Sequence, residues 1–388
     1  MSTILPPSGT PRVSRRTLIR GAAGGAAALG LGALPGCSTA GGFRSENLGA
    51  SNRLRILNWE LYIDEDDDGG QPTVVNAERE LAMQISYEDG WDNAGSWNTI
   101  VEPALSKGQT LPYDIIVPTN WLAARMVARG WAEQLPLELI PNHKNIEPAY
   151  LTNNWDRGSR FQMPWQAGIT GIAYNPELTG GEIRSIAELF SPDLNGQVSL
   201  IVEMRETVGF GMLLNGADPS RPTAETANAG LDRIEQEVRD GRVAAFTANE
   251  FAEGLTSGAY AASMAWSGDT VLLQGERPDI QFVIPDEGAI QWFDTMVIPK
   301  GSPNRAAAGL WMNYVYEPAN AANITNWVQY ISPVIGVADA LADIGAGELA
   351  ENPILFPDDE TKRRLFTWGG LADAEEIELE TRFNALIG

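Results

Sequence analysis

Residues 113–121 read Tyr113-Asp114-Ile115-Ile116-Val117-Pro118-Thr119-Asn120-Trp121. A short apolar run that stops at a proline predicts a buried strand, and Trp121–Arg129 behind it has helical spacing. The same grammar stands upstream. Leu54–Trp59 is a short apolar strand, Val74–Met83 suits a helix, Gln84–Tyr87 a strand and Ser96–Lys107 a helix. It also continues downstream. Gly168–Tyr174, Val198–Val202, Val243–Thr247, Ala261–Trp266, Gln281–Ile284 and Thr295–Ile298 read as strands. Helices fall between and after them, around Ser185–Phe190, Arg205–Leu214, Thr223–Asp240, Glu250–Ser257, Arg305–Tyr316 and Ala319–Gln329, with an acidic helix from Ala372. Alternating strands and helices predict the α/β class with mainly parallel sheets. Two such lobes would hold a ligand in a cleft at the carboxyl ends of their strands.

The N-terminus predicts where the protein works. Ser14-Arg15-Arg16-Thr17-Leu18-Ile19-Arg20 is followed by an apolar, Gly/Ala-rich run to Leu34 and then by Pro35-Gly36-Cys37, the one cysteine of the chain. A basic segment, a short apolar segment and small residues form a secretory signal. The paired arginines resemble a twin-arginine export signal, and Cys37 resembles the acylated cysteine of a lipobox. The run is short of the ~20 apolar residues of a membrane span. Residues 1–36 are therefore expected to be a signal peptide and 37–52 a flexible tether from a lipid on Cys37. The mature protein is expected outside the cytoplasm, periplasmic or at the cell surface, held to the membrane by that lipid alone.

Residues 1–36 hold four arginines and no acid, so the chain from Cys37 onward carries 23 basic against 51 acidic residues, a formal charge of −28. Such a field repels nucleic acid and anionic membranes and attracts cations. With 44% hydrophobic residues and a single cysteine, the chain can bury large cores but cannot form an internal disulfide.

Aromatic and acidic residues recur at five predicted strand ends: Asn58-Trp59-Glu60-Leu61-Tyr62, Thr119-Asn120-Trp121, Glu203-Met204-Arg205-Glu206, Trp266-Ser267-Gly268-Asp269 and Trp292-Phe293-Asp294. Singly, each has a structural explanation in core packing, a turn or a helix start. Together they are what an organic ammonium needs. Ring faces supply cation–π attraction of ~0.5–2 kcal/mol each. Carboxylates supply charge-assisted hydrogen bonds of roughly 1.5–3 kcal/mol each. Micromolar binding needs ~8 kcal/mol in all.

From about Arg53 to Tyr330 the chain resembles the periplasmic spermidine/putrescine-binding proteins of ABC importers, in the extracellular solute-binding superfamily. The resemblance rests on LRILNWELYI (54–63), YDIIVPTNW (113–121), MPWQAGITGIAYNP (163–176), Glu203–Glu206, SMAWSGD (263–269) and PDEGAIQWFDTMVIPKG (285–301). It implies a two-lobed, type II-like periplasmic-binding-protein fold. Lobe 1 is expected at 53–164 plus 295–330 and lobe 2 at 165–294 plus 331–388. The implied ligand is a polyamine, and the implied partners are the transmembrane subunits of a permease. A monomer without cofactor, metal or catalytic residue is expected.

Residue by residue, the resemblance implies that Trp59 and Tyr62 line one wall of the cleft and that Thr119 and Trp121 face them. Glu203 would meet an interior amine. Glu206, Trp292 and Asp294 would surround one end, Trp266 would follow the methylene stem, and Tyr330 would complete the box. Glu60 stands one residue from the family's acid, and strand neighbours face opposite sides. Asp269 is an additional acid. Gly369, after Trp368, stands where some members carry a glutamine. The residue types leave other solutes open: an opine, a basic amino acid derivative or thiamine.

Other chemistry finds less support. Asp64-Glu65-Asp66-Asp67-Asp68-Gly69 matches half of a calcium loop, but its twelfth position is Val75, which favours a solvated acidic loop. His143, the one histidine, has no metal-ligand spacing around it. Neither a P-loop nor G-x-S-x-G occurs, and Gly209-Phe210-Gly211 lacks the third glycine of a dinucleotide fingerprint. An enzyme on the same scaffold, with Glu203 and Glu206 as an acid pair, is the alternative from another class.

Overall fold

The computed structural model describes residues 52–91, 97–153, 155–194 and 196–388. The expected signal peptide with Arg15 and Arg16, the lipidation position Cys37, and the tether up to Ser51 lie outside the described residues. No helix among the described residues is long and apolar enough to cross a membrane.

In chain order the strands are β1 (Arg53–Trp59), β2 (Gln84–Trp91), β3 (Ile115–Ile116), β4 (Gln162–Tyr174), β5 (Val198–Ile201), β6 (Val243–Thr247), β7 (Ala262–Trp266), β8 (Gln281–Val283), β9 (Ala289–Val297) and β10 (Leu365–Phe366). The helices of seven or more residues are α1 (Pro72–Leu81), α2 (Asn120–Ala128), α3 (Met204–Leu214), α4 (Ala224–Arg239), α5 (Phe251–Ser257), α6 (Ser267–Glu276), α7 (Arg305–Val315), α8 (Pro318–Val328), α9 (Val337–Asp343) and α10 (Asp373–Ile387).

These elements form two compact units. The described part of the first comprises residues up to Gly168 and Trp292–Asp358, and that of the second Ile169–Gln291 and Asp359–Gly388. In the first unit β1 pairs in parallel with both β2 and β3, and β9 returns antiparallel to β3 at Ile116 and Val297. Its core gathers Leu57, Trp97, Val101, Ile116, Leu122, Met126 and Val297. In the second unit β5 pairs in parallel with β6 and β7, while β7 and β8 run antiparallel to β4. Ile172, Leu200, Phe210, Ile234, Met264 and Ile290 form its main core. The antiparallel strands mark where the chain returns, so neither unit is purely parallel.

Helix α10 is tied into the second unit by two arginines. Buried Arg205 donates to Glu376 at 2.7 Å and reaches Glu380 at 2.5 Å. Arg382 holds Glu235 at 2.9 Å, Asn228 at 3.0 Å, and also Asp232. Leu379 and Phe383 fill the space against Met204, Val208 and Leu231. The acidic helix thus buries one apolar face, turns Glu376 and Glu380 toward Arg205, and sends its own Arg382 to acids of α4.

Several boundaries differ from the sequence expectation for local reasons. The strand expected at Tyr113–Pro118 narrows to two residues. Buried Asp114 turns its carboxylate to the Arg55 backbone N–H at 2.9 Å and to Ser302 and Asn304, and Pro118 has no N–H to pair. The helix expected at Ser96–Lys107 is a π-turn over Trp97–Val101 followed by one α-turn, which starts where Pro103 is tolerated. Strand β4 reaches back six residues further than expected, to Gln162, and is buried throughout. The unit boundaries differ too. Residues 165–168, 292–294 and 331–358 fall in the first unit, where the sequence expectation put them in the second lobe. Ala167 and Ile331 exchange two backbone hydrogen bonds at 2.8 and 3.0 Å, Glu147 N–H reaches Pro333 O at 2.9 Å, and the Trp165 ring stacks on Trp311.

Candidate functional site

In the first unit the site grows from β9. Trp292 and Asp294 lie two residues apart in this strand, so they project from one face. Asp294 stands opposite Thr119 in an antiparallel bridge, fixed by a hydrogen bond from Thr295 N–H to Pro118 O at 2.9 Å. Thr119 immediately precedes α2 yet does not cap it, and its hydroxyl has no hydrogen-bond partner among the described residues. A buried hydroxyl is therefore held beside a buried carboxylate, since residues directly opposite in a ladder have neighbouring side chains.

Tyr62 donates its phenol proton to Asp294 Oδ2 at 2.9 Å, and both residues are buried. The Tyr330 ring stands edge-on to Tyr62 at 5.6 Å and to Trp292 at 5.4 Å. These tyrosines arrive by the same device. Each directly follows a non-glycine residue in the left-handed region, Leu61 at φ 56° and Gln329 at φ 55°. Such a residue costs on the order of 1–3 kcal/mol and reorients the chain abruptly. Period-two alternation from Trp59 would not have aimed Tyr62 at Asp294; the turn at Leu61 does.

The neighbours in this unit differ in their surroundings. Trp59 ends β1, half-buried against the core that also takes one side of Trp121. The Trp121 ring already carries a cation, the Arg125 guanidinium 5.1 Å from its centroid. Glu60 is exposed in the turn after β1. Asp64 is buried and accepts the Thr73 N–H at 3.1 Å, at the start of α1, and burial raises its pKa above the usual carboxylate range. Asp66 accepts the N–H groups of Asp68 at 3.1 Å and Gly70 at 2.6 Å. Two acids of the half calcium loop, Asp64 and Asp66, thus accept nearby backbone N–H groups. No group of three or more His, Cys, Asp or Glu able to hold a metal occurs among the described residues.

In the second unit the site grows from the start of α3. Glu203 is the residue before the helix and Glu206 lies in its first turn, where backbone N–H groups and the helix dipole favour negative charge. Glu206 Oε2 accepts the Trp266 indole N–H at 2.8 Å and the Thr170 hydroxyl. Two strands, β4 and β7, therefore converge on one carboxylate oxygen carried by α3. The Glu203 carboxyl is pushed up chiefly by burial and further by Glu380, against the opposing pull of Arg205. Trp266 ends β7 and meets Phe251 edge-on at 6.3 Å. Asp269 is buried in the first turn of α6. Gly369 lies against the Ser220 carbonyl and donates its N–H to Pro219 O at 3.1 Å, while Trp368 sits in the core under α10.

The structure thus brings together Tyr62, Thr119, Trp292, Asp294 and Tyr330 in one unit, and Glu206 and Trp266 in the other. It adds Thr170, which the sequence reading missed. The available signal was a hydroxyl amid the apolar run GITGIA (168–173), because a buried polar group needs a partner.

Residues 83–357 match the family described as bacterial extracellular solute-binding protein. Spermidine/putrescine-binding periplasmic protein 1 of Haemophilus influenzae is 26% identical over 253 residues, 65% of this chain and 69% of that protein. The putrescine-binding periplasmic protein PotF of Escherichia coli K12 is 26% identical over 335 residues, 81% of this chain and 85% of that one. Among solved structures, the spermidine/putrescine ABC transporter substrate-binding protein PotD of Streptococcus pneumoniae has the same fold. Its TM-score is 0.72 at 24% identity, over 87% of this chain and 100% of that one.

Proposed function

The chain belongs to the bacterial extracellular solute-binding proteins, and we propose that it is the receptor of an ABC importer that captures a polyamine such as putrescine or spermidine. The observation that carries this reading is the buried Asp294 carboxylate, held by the Tyr62 hydroxyl with the Trp292 and Tyr330 rings beside it. A buried carboxylate beside aromatic rings suits an organic ammonium, whose charge meets the carboxylate and whose methylene stem packs on the rings, better than a metal ion. The second unit repeats the chemistry with Glu206 and Trp266. Each set alone receives an alkylammonium, and a polyamine carries several.

Binding needs no bond to form or break, and the same carboxylates serve it without any reaction. A ligand with higher affinity for one conformation of the receptor shifts the population toward it, and a permease reads the shifted form. The chain would be exported under the Arg15-Arg16 signal, retained at the membrane by a lipid on Cys37, and act as a monomer on the tether 37–52.

Titration calorimetry with putrescine, spermidine, an amino acid and a sugar tests the reading. Heat from either polyamine and none from the sugar is expected. Binding of the sugar with no heat from either polyamine overturns it.

A further inference from the structure

Gly168 lies inside β4, where a glycine weakens a strand by roughly 0.5–1 kcal/mol relative to alanine. Its backbone does not call for glycine, since it is absent from the positive-φ glycines of the described chain. Space does. A Cβ at this position would stand 2.3 Å from Cζ2, 2.6 Å from Cη2 and 2.8 Å from Cε2 of the Trp292 indole. Real Cβ atoms essentially never come within 3.0 Å of a neighbour, so either backbone or ring has to move. The backbone is pinned next door by the two hydrogen bonds between Ala167 and Ile331. The ring is half-buried, so it rather than the pinned strand is the part expected to shift.

We infer that Gly168 is a positioning residue: it seats the Trp292 indole against Tyr330 and so sets how closely the first unit's ring-and-carboxylate set fits an alkylammonium. The inference rests on the polyamine reading of that set. The path of a disturbance is short. The indole abuts Tyr330 at 5.4 Å, Tyr330 abuts Tyr62 at 5.6 Å, and the Tyr62 hydroxyl holds Asp294. A ring pushed off Gly168 therefore disturbs both the apolar wall and the donor to the carboxylate.

Two measurements on the full exported protein test this. The first is ¹⁹F NMR of protein labelled with 5-fluorotryptophan, with the Trp292 resonance identified by its loss in Trp292→Phe. The second is calorimetry with putrescine. Gly168→Ala is expected to move the Trp292 resonance in the ligand-free protein and to weaken putrescine about tenfold, which corresponds to about 1.4 kcal/mol. In the Trp292→Phe background, where the clashing ring atoms are gone, the added cost of Gly168→Ala is expected to fall below about twofold, the non-additivity of residues in contact. An unmoved resonance overturns the seat, and so does a tenfold loss that persists in the Trp292→Phe background. A parent protein that binds no polyamine overturns the polyamine reading instead, whatever the resonance does. Should Gly168→Ala alone not fold, recovery of folding in Gly168→Ala/Trp292→Phe supports the seat, and no recovery overturns it.

Discussion

The two units hold their acids in opposite ways. In the first, Asp294 sits inside a strand, 3% exposed, and is secured by Tyr62 and Thr119 from distant parts of the chain, with the Tyr330 ring against Tyr62. In the second, Glu206 sits in the first turn of a helix, where local backbone already favours its charge, and Trp266 and Thr170 then fix it. A strand offers a carboxylate no such local help, so Asp294 depends on long-range contacts and on two left-handed residues that deliver the tyrosines. The difference teaches that the first unit's set is the more buried and the more sensitive, while the second's is buffered by its helix.

The largest expected effect breaks the comparison directly. Asp294→Asn should weaken putrescine about 100-fold, close to 2.7 kcal/mol, the scale of removing one partner from a buried charge pair. Glu206→Gln should cost less, about tenfold, because Glu206 is half-exposed and solvent screens its charge. Calorimetry of both variants decides. Equal losses would mean that burial does not separate the two sets, and unchanged affinity in Asp294→Asn would remove that residue from the site.

Thr170→Val removes one donor to Glu206 while keeping the shape of the side chain. A loss of one hydrogen bond to a charged group held by a second donor should weaken putrescine by about three- to tenfold. Combined with Glu206→Gln, the loss should be less than the sum of the two, as residues in one network require. Full additivity would place Thr170 outside the network.

The smallest effect is one of pH. Burial raises the Glu203 carboxyl, so the folded chain takes up that proton at a higher pH than the unfolded chain does. The stability this group contributes is complete below the ordinary glutamate value, about 4.3, and is lost as pH rises through the raised folded value. Putrescine, if it meets Glu203, needs the ionised form, so affinity should rise across the same window. Glu203→Gln should remove that part of the pH dependence of binding and raise the melting temperature at neutral pH. Identical pH profiles of binding for parent and variant would show that Glu203 does not meet the ligand.

Much of the fold was legible in order and type, because period and punctuation are local. Helices α3, α4, α7 and α8 fall within two residues of their expected ends, since each has a clear start signal or apolar periodicity. Strand β10 was missed: Leu365–Phe366 is too short to show any period and exists because β9 offers it a partner. The placement of 331–358 with the first unit was equally invisible, as it depends on backbone pairing with residues near 146 and 167.

The sequence by itself determined that Glu206 opens a helix and that acids and rings recur at strand ends, while the expected strand at Thr295–Ile298 began short of Trp292 and Asp294. Strand alternation and helix starts are encoded within a few residues. Only the tertiary structure decided which of these residues meet. Tyr62 and Asp294 are 232 residues apart, and Thr170 and Glu206 are 36 apart. It left Glu60 exposed, gave Trp121 to Arg125, and made Gly168 the seat of a ring. Such pairings follow from where packed elements place side chains, and a single left-handed residue such as Leu61 redirects the chain in a way no periodic pattern records.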